Sequence, residues 1–438
     1  MEPHALTPRL RSALRVRGPL GASEVQALLG VSQPTLSRVV RATEGVLVLG
    51  RARATRYALR RDIPGVSRPL TVYELGLAAT RLGTLHPIEP GGFWMESDGP
   101  LSGVYPDLPW FLNDLRPSGF LGRRAPQDAP HLRLPADIRD WTANHVLLWL
   151  TEAAADTMGG FILGDAALVR AIEAVPGPPV DGNTADYNAL ADHVMSQGQA
   201  GSSAGGEQPK FLATRRGVPV LVKFSPRVVD APSARVASLL RCEHIALQTV
   251  RHHGIAAAES RIVQGDGRVF LELRRFDRAP DGGRAGMVSL HSVDAEFVGN
   301  LGGWSASVAA LAAGRHVSPS ALPVARWLDQ FGAFIGNSDR HAGNLSFAFS
   351  GGRIGELAPV YDMLPMHFYP RGGALFDAPH PLPAPEPGFG GIQRAAHAAA
   401  LEFWSRVLEE VPGEFAALAC EAAERVNAMG AVLERLPA

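Results

Sequence analysis

Residues 337–362 leave few folds open to this chain. Just before them Val324, Trp327, Leu328, Phe331, Phe334 and Ile335 recur at helical spacing, one apolar stripe. The pattern predicts a helix running into a polar loop, N-S-D-R-H-A-G-N, which holds Asp339 and, five positions on, Asn344. Apolar runs at 345–349 and 353–357 flank Ser350-Gly351-Gly352, a hairpin signal. A hairpin returns its two ends to one place, so Asn344 and Asp362 are expected side by side at its open end. Kinase-type phosphoryl transfer uses this set: one carboxylate to accept a hydroxyl proton, and an amide with a second carboxylate to hold the metal that bridges the phosphates. A polar turn before an ordinary hairpin is the plain alternative.

Lysine usage supplies a second constraint. Of 42 basic side chains only Lys210 and Lys223 are lysines, and a planar guanidinium fork does not replace a compact ammonium. They follow a Gly/Ser-rich segment at 198–210, G-Q-A-G-S-S-A-G-G-E-Q-P-K. Glycine backbone amides of that kind approach phosphates closely. No G-K-[ST] opens a helix there, which excludes a Walker-type loop. Strands are predicted at 210–214 and 218–224 around Arg215-Arg216-Gly217. Lys223 is costly to bury unpaired in an apolar strand. A helix at 233–252 offers the partner, because Glu243 falls within the stripe of Val236, Leu239, Leu240, Leu247 and Val250. A strand lysine paired with a helix glutamate is how kinases hold ATP phosphates; a purely structural ion pair is the alternative. A strand at 268–273 follows, with Glu272 and Leu273 as candidates for the edge that meets the adenine amine. His291 and Asp294 are weaker site candidates in a Gly-rich region at 279–320. Residues 393–437 read as Ala-rich amphipathic helix and 370–391 as a Pro/Gly-rich surface loop.

Residues 1–61 carry eleven arginines against three glutamates, so their net charge is +8 in a chain whose total is −1. A basic front on an acidic body suggests a nucleic-acid reader. Ser23-Glu24-Val25-Gln26 has capping-box form before a helix through Leu28 and Leu29; Gly30 makes a turn, and Ser32-Gln33-Pro34 opens a second helix. With Leu36, Val39 and Val40 facing inward, Gln33, Thr35, Ser37, Arg38 and Arg41 face out, the chemistry that meets base edges and phosphates of double-stranded DNA in a major groove. Strands at 46–49 and 56–59 bracket an Arg-rich tip that forms a wing and sets Arg51, Arg53 and Arg56 on phosphates. A small helical adaptor for a protein partner is the alternative.

A length of 438 residues predicts two to four domains. The expected division is a winged helix-turn-helix at 1–61, a linker at 62–70, a lobe at 71–275 and a helical lobe at 276–438. Between 71 and 180 short strands and helices alternate, including a helix expected at 137–155 that carries Trp141, His145, Leu148 and Trp149; no chemistry is legible there. No run of about 18 apolar residues exists, so no membrane span is expected. Cys242 and Cys420 give neither a disulfide framework nor a metal knuckle, which fits a cytoplasmic protein.

These residues resemble the HipA-type serine/threonine kinase toxins, in particular the YjjJ-like branch with a fused N-terminal helix-turn-helix. Ser203-Ala204-Gly205-Gly206-Glu207-Gln208-Pro209-Lys210 is similar to the family's loop S-x-x-G-x-Q-x-K, Val220-Leu221-Val222-Lys223 to its ATP-binding strand, and residues 337–344 with Tyr361-Asp362 to its catalytic loop and metal aspartate. The resemblance implies an α+β fold, a bilobal protein-kinase-like body with an N-terminal winged helix-turn-helix domain, and ATP- and Mg²⁺-dependent phosphorylation of serine. Asp339 would be the catalytic carboxylate, Asn344 and Asp362 the metal ligands, and Lys223 the phosphate clamp oriented by Glu243. Gly205, Gly206 and Gln208 would lie on ATP. Ser203, with Ser202 adjacent, would be the autophosphorylation site. Relatives phosphorylate aminoacyl-tRNA synthetases and are restrained by a separate DNA-binding antitoxin. Winged-helix readers are commonly dimeric, so a homodimer is among the expected partners. Where many relatives carry lysine before the catalytic-loop asparagine this chain has Gly343, which leaves Arg340 as the substitute cation. Two other readings compete: a transcriptional regulator whose kinase body only senses ATP, and a metal-dependent nuclease using Asp339, His341 and Asp362.

Overall fold

A computed structural model describes residues 3–196, 208–279, 281–300, 302–411 and 413–437. The chain divides into two units, one of residues 1–117, 125–173 and 351–353, the other of residues 118–124, 174–350 and 354–438. The lobe expected at 71–275 is thus split close to residue 174.

The first unit opens with three helices, α1 (Pro3–Arg17), α2 (Ala22–Leu29) and α3 (Gln33–Ala42). Leu6, Leu10 and Leu14 recur every four residues on α1 and bury against Val25, Leu29, Leu36 and Val39. No element is expected at 3–17 from the sequence alone. Gly30 takes φ +68° and ends α2, a left-handed conformation that glycine adopts without steric cost. The cap of α2 differs from expectation: Gly21 is the N-cap, and its N–H donates to the Glu24 carboxylate at 2.7 Å. Ser23 lies inside the helix. β1 (Leu20–Gly21), β2 (Val46–Leu49) and β3 (Arg56–Leu59) form an antiparallel sheet in the order β1-β3-β2.

A five-stranded sheet follows, built from β4 (Leu70–Leu75), β5 (Ala79–Pro87), β6 (Phe93–Glu96), β7 (Gly103–Tyr105) and β8 (Phe161–Leu163), ordered β7-β6-β5-β4-β8. Two single-turn helices lie between β7 and β8, α4 (Gly119–Gly122), which belongs to the second unit, and α5 (Ala125–Asp128). The helix expected at 137–155 is shorter: α6 spans Ala143–Glu152, and its cap Thr142 donates its N–H to His145 Nδ1 at 3.2 Å. α7 (Asp165–Glu173) closes the unit.

The second unit is organised by the sheet β12-β13-β11-β10-β9, from β9 (Pro179–Val180), β10 (Lys210–Arg215), β11 (Val218–Phe224), β12 (Ser260–Gly265) and β13 (Arg268–Arg274). Strand side chains alternate between faces. Phe211, Ala213, Val220, Val222, Phe224 and Phe270 pack against Tyr187, Ala191 and Val194 of α8 (Thr184–Ser196). Leu221, Lys223, Leu271 and Leu273 therefore occupy the other face, toward α9 (Ala231–His252). That helix begins at Asp230, whose carboxylate accepts from Ser233 N–H at 2.9 Å.

The remainder is mostly helical: β14 (Met287–Ser289), α10 (Leu290–Phe297), α11 (Trp304–Ala313), α12 (Ala321–Phe334), β15 (Ser346–Ser350), β16 (Arg353–Leu357), α13 (Gly390–Glu410) and α14 (Ala416–Leu433). The apolar stripe on α12 is real. Trp327, Leu328, Phe331 and Phe334 are buried, and Phe331 meets Phe403 of α13 edge-on at 6.2 Å. The turn between β15 and β16 has Gly351 at φ +57° and Gly352 at φ +77°, the two positive values that a tight two-residue hairpin loop requires.

Candidate active site

Lys223 sits on β11 with its ammonium against both oxygens of Glu243, at 2.6 and 2.8 Å. Glu243 is fully buried in the middle of α9, and Lys223 is nearly so. The pairing follows from topology. An apolar strand carries its cation toward the helix, and the helix meets it with the one carboxylate of its buried stripe. A third partner arrives from 139 positions away, since Lys223 Nζ also bonds Asp362 Oδ1. Burial on its own would strip the Lys223 charge; the two carboxylates reverse that and hold its pKa above the ordinary lysine value. Burial likewise pushes the Asp362 carboxyl up, but Lys223, then Lys210, overcome it and hold the group at about 2.

Lys210 was not given a role of its own in the sequence reading. It is the cross-strand partner of Lys223, so both ammonium stems leave the same face of the sheet. The signal was present: the only two lysines of the chain face each other in one hairpin.

The loop after α12 is knitted through Asn337, which the sequence reading passed over. Its side chain is fully buried. Its Oδ1 accepts from Asp339 N–H at 3.0 Å and its Nδ2 donates to the Asp362 carbonyl at 3.4 Å. Asn344 Nδ2 donates to the Asp339 carbonyl at 2.9 Å and to its Oδ2 at 3.4 Å. Trp304 Nε1–H donates to the His341 carbonyl at 2.9 Å and holds the loop from α11. At the open end of the hairpin the Tyr361 hydroxyl donates to the Gly343 carbonyl at 2.8 Å and lies 2.7 Å from Ser346 Oγ. Asp362 follows at φ +53°, a left-handed conformation that aspartate tolerates better than most residues. Lys223, Glu243, Asp362, Asp339 and Asn344 thus belong to one hydrogen-bonded constellation within the second unit.

The donor set suits a hard divalent cation. With Asn344 Nδ2 turned to Asp339, its Oδ1 is directed elsewhere, and together with the Asp362 carboxylate it supplies two oxygens of the kind Mg²⁺ takes.

Several expected residues fall outside the constellation. The Glu272 carboxylate points to the opposite face of the sheet, where Tyr187 O–H donates to it at 2.5 Å, Arg215 Nε at 2.9 Å, and Arg261 also bonds it. That side chain is the buried counter-charge of two arginines, so it takes no part in the Lys223 face. Leu273 does lie on the Lys223 face and is buried, but its backbone is paired to strands on both sides. Arg340 bonds Asp329 Oδ1 at 2.9 Å and the Asn337 carbonyl, so it braces the loop and does not stand in for the missing lysine. Asp294 accepts from Asn300 N–H at 3.0 Å beyond the end of α10, and His291 is exposed. Gln208 is half-buried. Ser202, Ser203, Gly205 and Gly206 lie outside the described residues.

In the first unit Gln33, Arg38 and Arg41 are exposed along α3, with Thr35 and Ser37 half-buried beside them. Arg51, Arg53 and Arg56 are exposed on and beside the β2–β3 connection. Arg56 is partly engaged, bonding the Pro19 carbonyl at 2.6 Å.

A family model described as the HipA-like C-terminal domain matches residues 202–430, and one described as the middle domain of YjjJ-like toxins matches residues 68–172. The chain is 39% identical over 376 residues to Toxin YjjJ of Escherichia coli (strain K12), covering 83% of this chain and 85% of that protein. Its fold is similar to that of a chain in the solved Shewanella oneidensis MR-1 complex of HipA, HipB and operator DNA. The TM-score is 0.52 at 16% identity, over 83% of this chain and 97% of that one.

The geometry predicts how acid acts on stability. The Asp362 pKa is depressed from 3.8 to about 2, so its stabilising contribution is complete above the unfolded value and is lost as pH falls toward the folded one. Lys223→Met removes the nearest cation, so the depression of the Asp362 pKa shrinks. Urea unfolding of the variant should show a loss of about 3–5 kcal/mol near neutrality, because Glu243 is left buried and unpaired. It should also show a shallower decline than wild type from roughly pH 5 to pH 3. Equal acid slopes would contradict the assignment.

Proposed function

We propose that this chain, which belongs to the HipA-like toxins in their YjjJ-like branch, is a serine/threonine-protein kinase that uses ATP and Mg²⁺. The observation that carries the reading is the Lys223–Glu243–Asp362 triad, joined through Asn337 to Asp339 and Asn344. Lys223 grips the phosphates of the nucleotide, and Glu243 fixes the direction of its ammonium. Lys210 adds a second positive charge on the same face. Asn344 and Asp362 would hold the metal, and Mg²⁺ bound there would supply neutralisation of phosphate charge. Asp339 accepts the proton of the attacking serine or threonine hydroxyl. Its loop is held rigid by Asn337, Asn344 and Arg340, so the carboxylate is positioned before the substrate arrives.

Gly205, Gly206 and Gln208 are assigned to ATP binding on the family resemblance of their motif. Ser203, or its neighbour Ser202, takes a phosphoryl group in an autophosphorylation that repels ATP and silences the enzyme. The target is a protein, and the aminoacyl-tRNA synthetases that relatives phosphorylate are the first candidates to assay. The first 61 residues act as a winged helix-turn-helix reader of double-stranded DNA, with α3 in the major groove and Arg51, Arg53 and Arg56 along the backbone. The similar Shewanella structure contains HipB and operator DNA; here the DNA-binding surface is carried by the chain itself.

Two experiments test this. Intact-mass spectrometry after incubation with Mg²⁺ and ATP should show one added phosphoryl group, and peptide mapping should place it at residues 202–203. Asp339→Asn should slow its appearance by about 10²–10⁴-fold. No added phosphate in wild type leaves the ATP-sensing regulator, and metal-dependent nicking of plasmid DNA that Asp362→Ala abolishes would favour the nuclease. For the basic domain, Arg38→Ala should weaken DNA binding and lower the slope of log affinity against log salt by about one, read by fluorescence anisotropy. Unchanged binding would favour a protein-binding adaptor.

A further inference from the structure

At the opposite end of α9 from its cap, His252 and His253 converge on Glu402 of α13. His252 Nδ1 lies 2.9 Å from Glu402 Oε1 and 3.1 Å from Oε2, and His253 Nε2 lies 3.1 Å from Oε2. One ligand atom from each of the three side chains falls within 4.8 Å of the other two. Neighbouring residues inside a helix diverge by roughly 100°. These two converge because His252 ends α9 and His253 departs from it at φ −82°, ψ 15°. Their rings then meet edge to face at 5.5 Å.

We propose that His252, His253 and Glu402 form a binding site for a borderline transition-metal cation, with Zn²⁺ as the reference ion and water completing its coordination. Two imidazoles and one carboxylate form a donor set that Zn²⁺ takes and that Mg²⁺ does not prefer. A tetrahedral ion with bonds near 2.0–2.1 Å separates its ligand atoms by roughly 3.4 Å, close to the 2.9–3.1 Å at which the two rings meet Glu402 and within the 4.8 Å that spans all three atoms. The side chains are already oriented. Glu402 presents its two oxygens to the two rings, and His253 rests on the indole of Trp327 with centroids 5.6 Å apart. Glu402 and His253 are each about 30% exposed while His252 is largely open, which gives an ion and its water a way in. The C-terminal end of α9 adds partial negative charge from its last carbonyls. A bound ion would tie the helix that carries Glu243 to α13, at a point roughly 13 Å along the helix from that residue. This site does not depend on the kinase reading.

The test uses the metal-free full chain, titrated with Zn²⁺ by calorimetry and with Co²⁺ by visible absorption. Trp327 fluorescence, identified by Trp327→Phe, reports arrival of a quenching ion beside His253. One Zn²⁺ should bind with the same affinity in Asp362→Asn, which separates this site from the phosphate centre. Glu402→Gln and His253→Asn, each checked for native circular dichroism, should weaken binding by roughly tenfold or more. Absence of Zn²⁺ uptake, or affinities within about twofold of wild type in both ligand variants, would overturn the site and leave an ordinary histidine–glutamate hydrogen-bond cluster.

Discussion

A buried ammonium between two carboxylates governs the second unit. Removing Lys223 from water costs several kcal/mol, and the protein recovers that only by bringing Glu243 from α9 and Asp362 from beyond a hairpin to the same point. Each then imposes requirements on its own element. α9 must present one carboxylate within an otherwise apolar stripe. The β15–β16 hairpin must close tightly enough to return the chain to Asp362, which the two glycines at its tip permit. The loop after α12 must fold back on itself, and Asn337 does this by holding Asp339 with one end of its amide and the Asp362 carbonyl with the other. Two carboxylates around one ammonium leave net negative charge, and Lys210 across the strand offsets it.

The same reasoning explains the distribution of basic residues. Arginine serves the other buried and half-buried salt links, Arg215 and Arg261 on buried Glu272 and Arg340 on Asp329, while Arg38 and Arg41 are exposed on α3. The two lysines share one hairpin, where Lys223 fits a compact, rotatable charge between two carboxylates and Lys210 faces it across the strands.

Much of this centre was legible from spacing. Lys223 was recognisable as a charge inside an apolar strand, Glu243 as a charge inside an apolar helical stripe, and Asn344 with Asp362 as the two ends of a hairpin. What escaped depends on contacts across long stretches of chain. The ion-pair role of Glu272 is not legible because its partners, Tyr187 and Arg215, lie 85 and 57 positions away. Asn337 looked like one polar loop residue among several, and only its complete burial reveals that it fastens the loop. Arg340 looked available because Asp329, 11 positions back inside α12, could not be seen to claim it. The cap of α2 lies two residues earlier than expected, at Gly21, since Gly21 with Glu24 and Ser23 with Gln26 both have capping-box spacing and only the backbone decides between them. The pairing of Lys210 with Lys223 needed only the hairpin register.

The central claim is that Glu243 and Asp362 act on one ammonium and through it on one nucleotide. A double-mutant cycle tests this directly, with Mg²⁺-ATP affinity measured by calorimetry for wild type, Glu243→Gln, Asp362→Asn and the double variant. A shared centre predicts that the two substitutions are non-additive by about 0.5–3 kcal/mol. Additivity within about 0.3–0.5 kcal/mol would mean that the two carboxylates serve separate purposes, and the phosphate-handling account would not survive it.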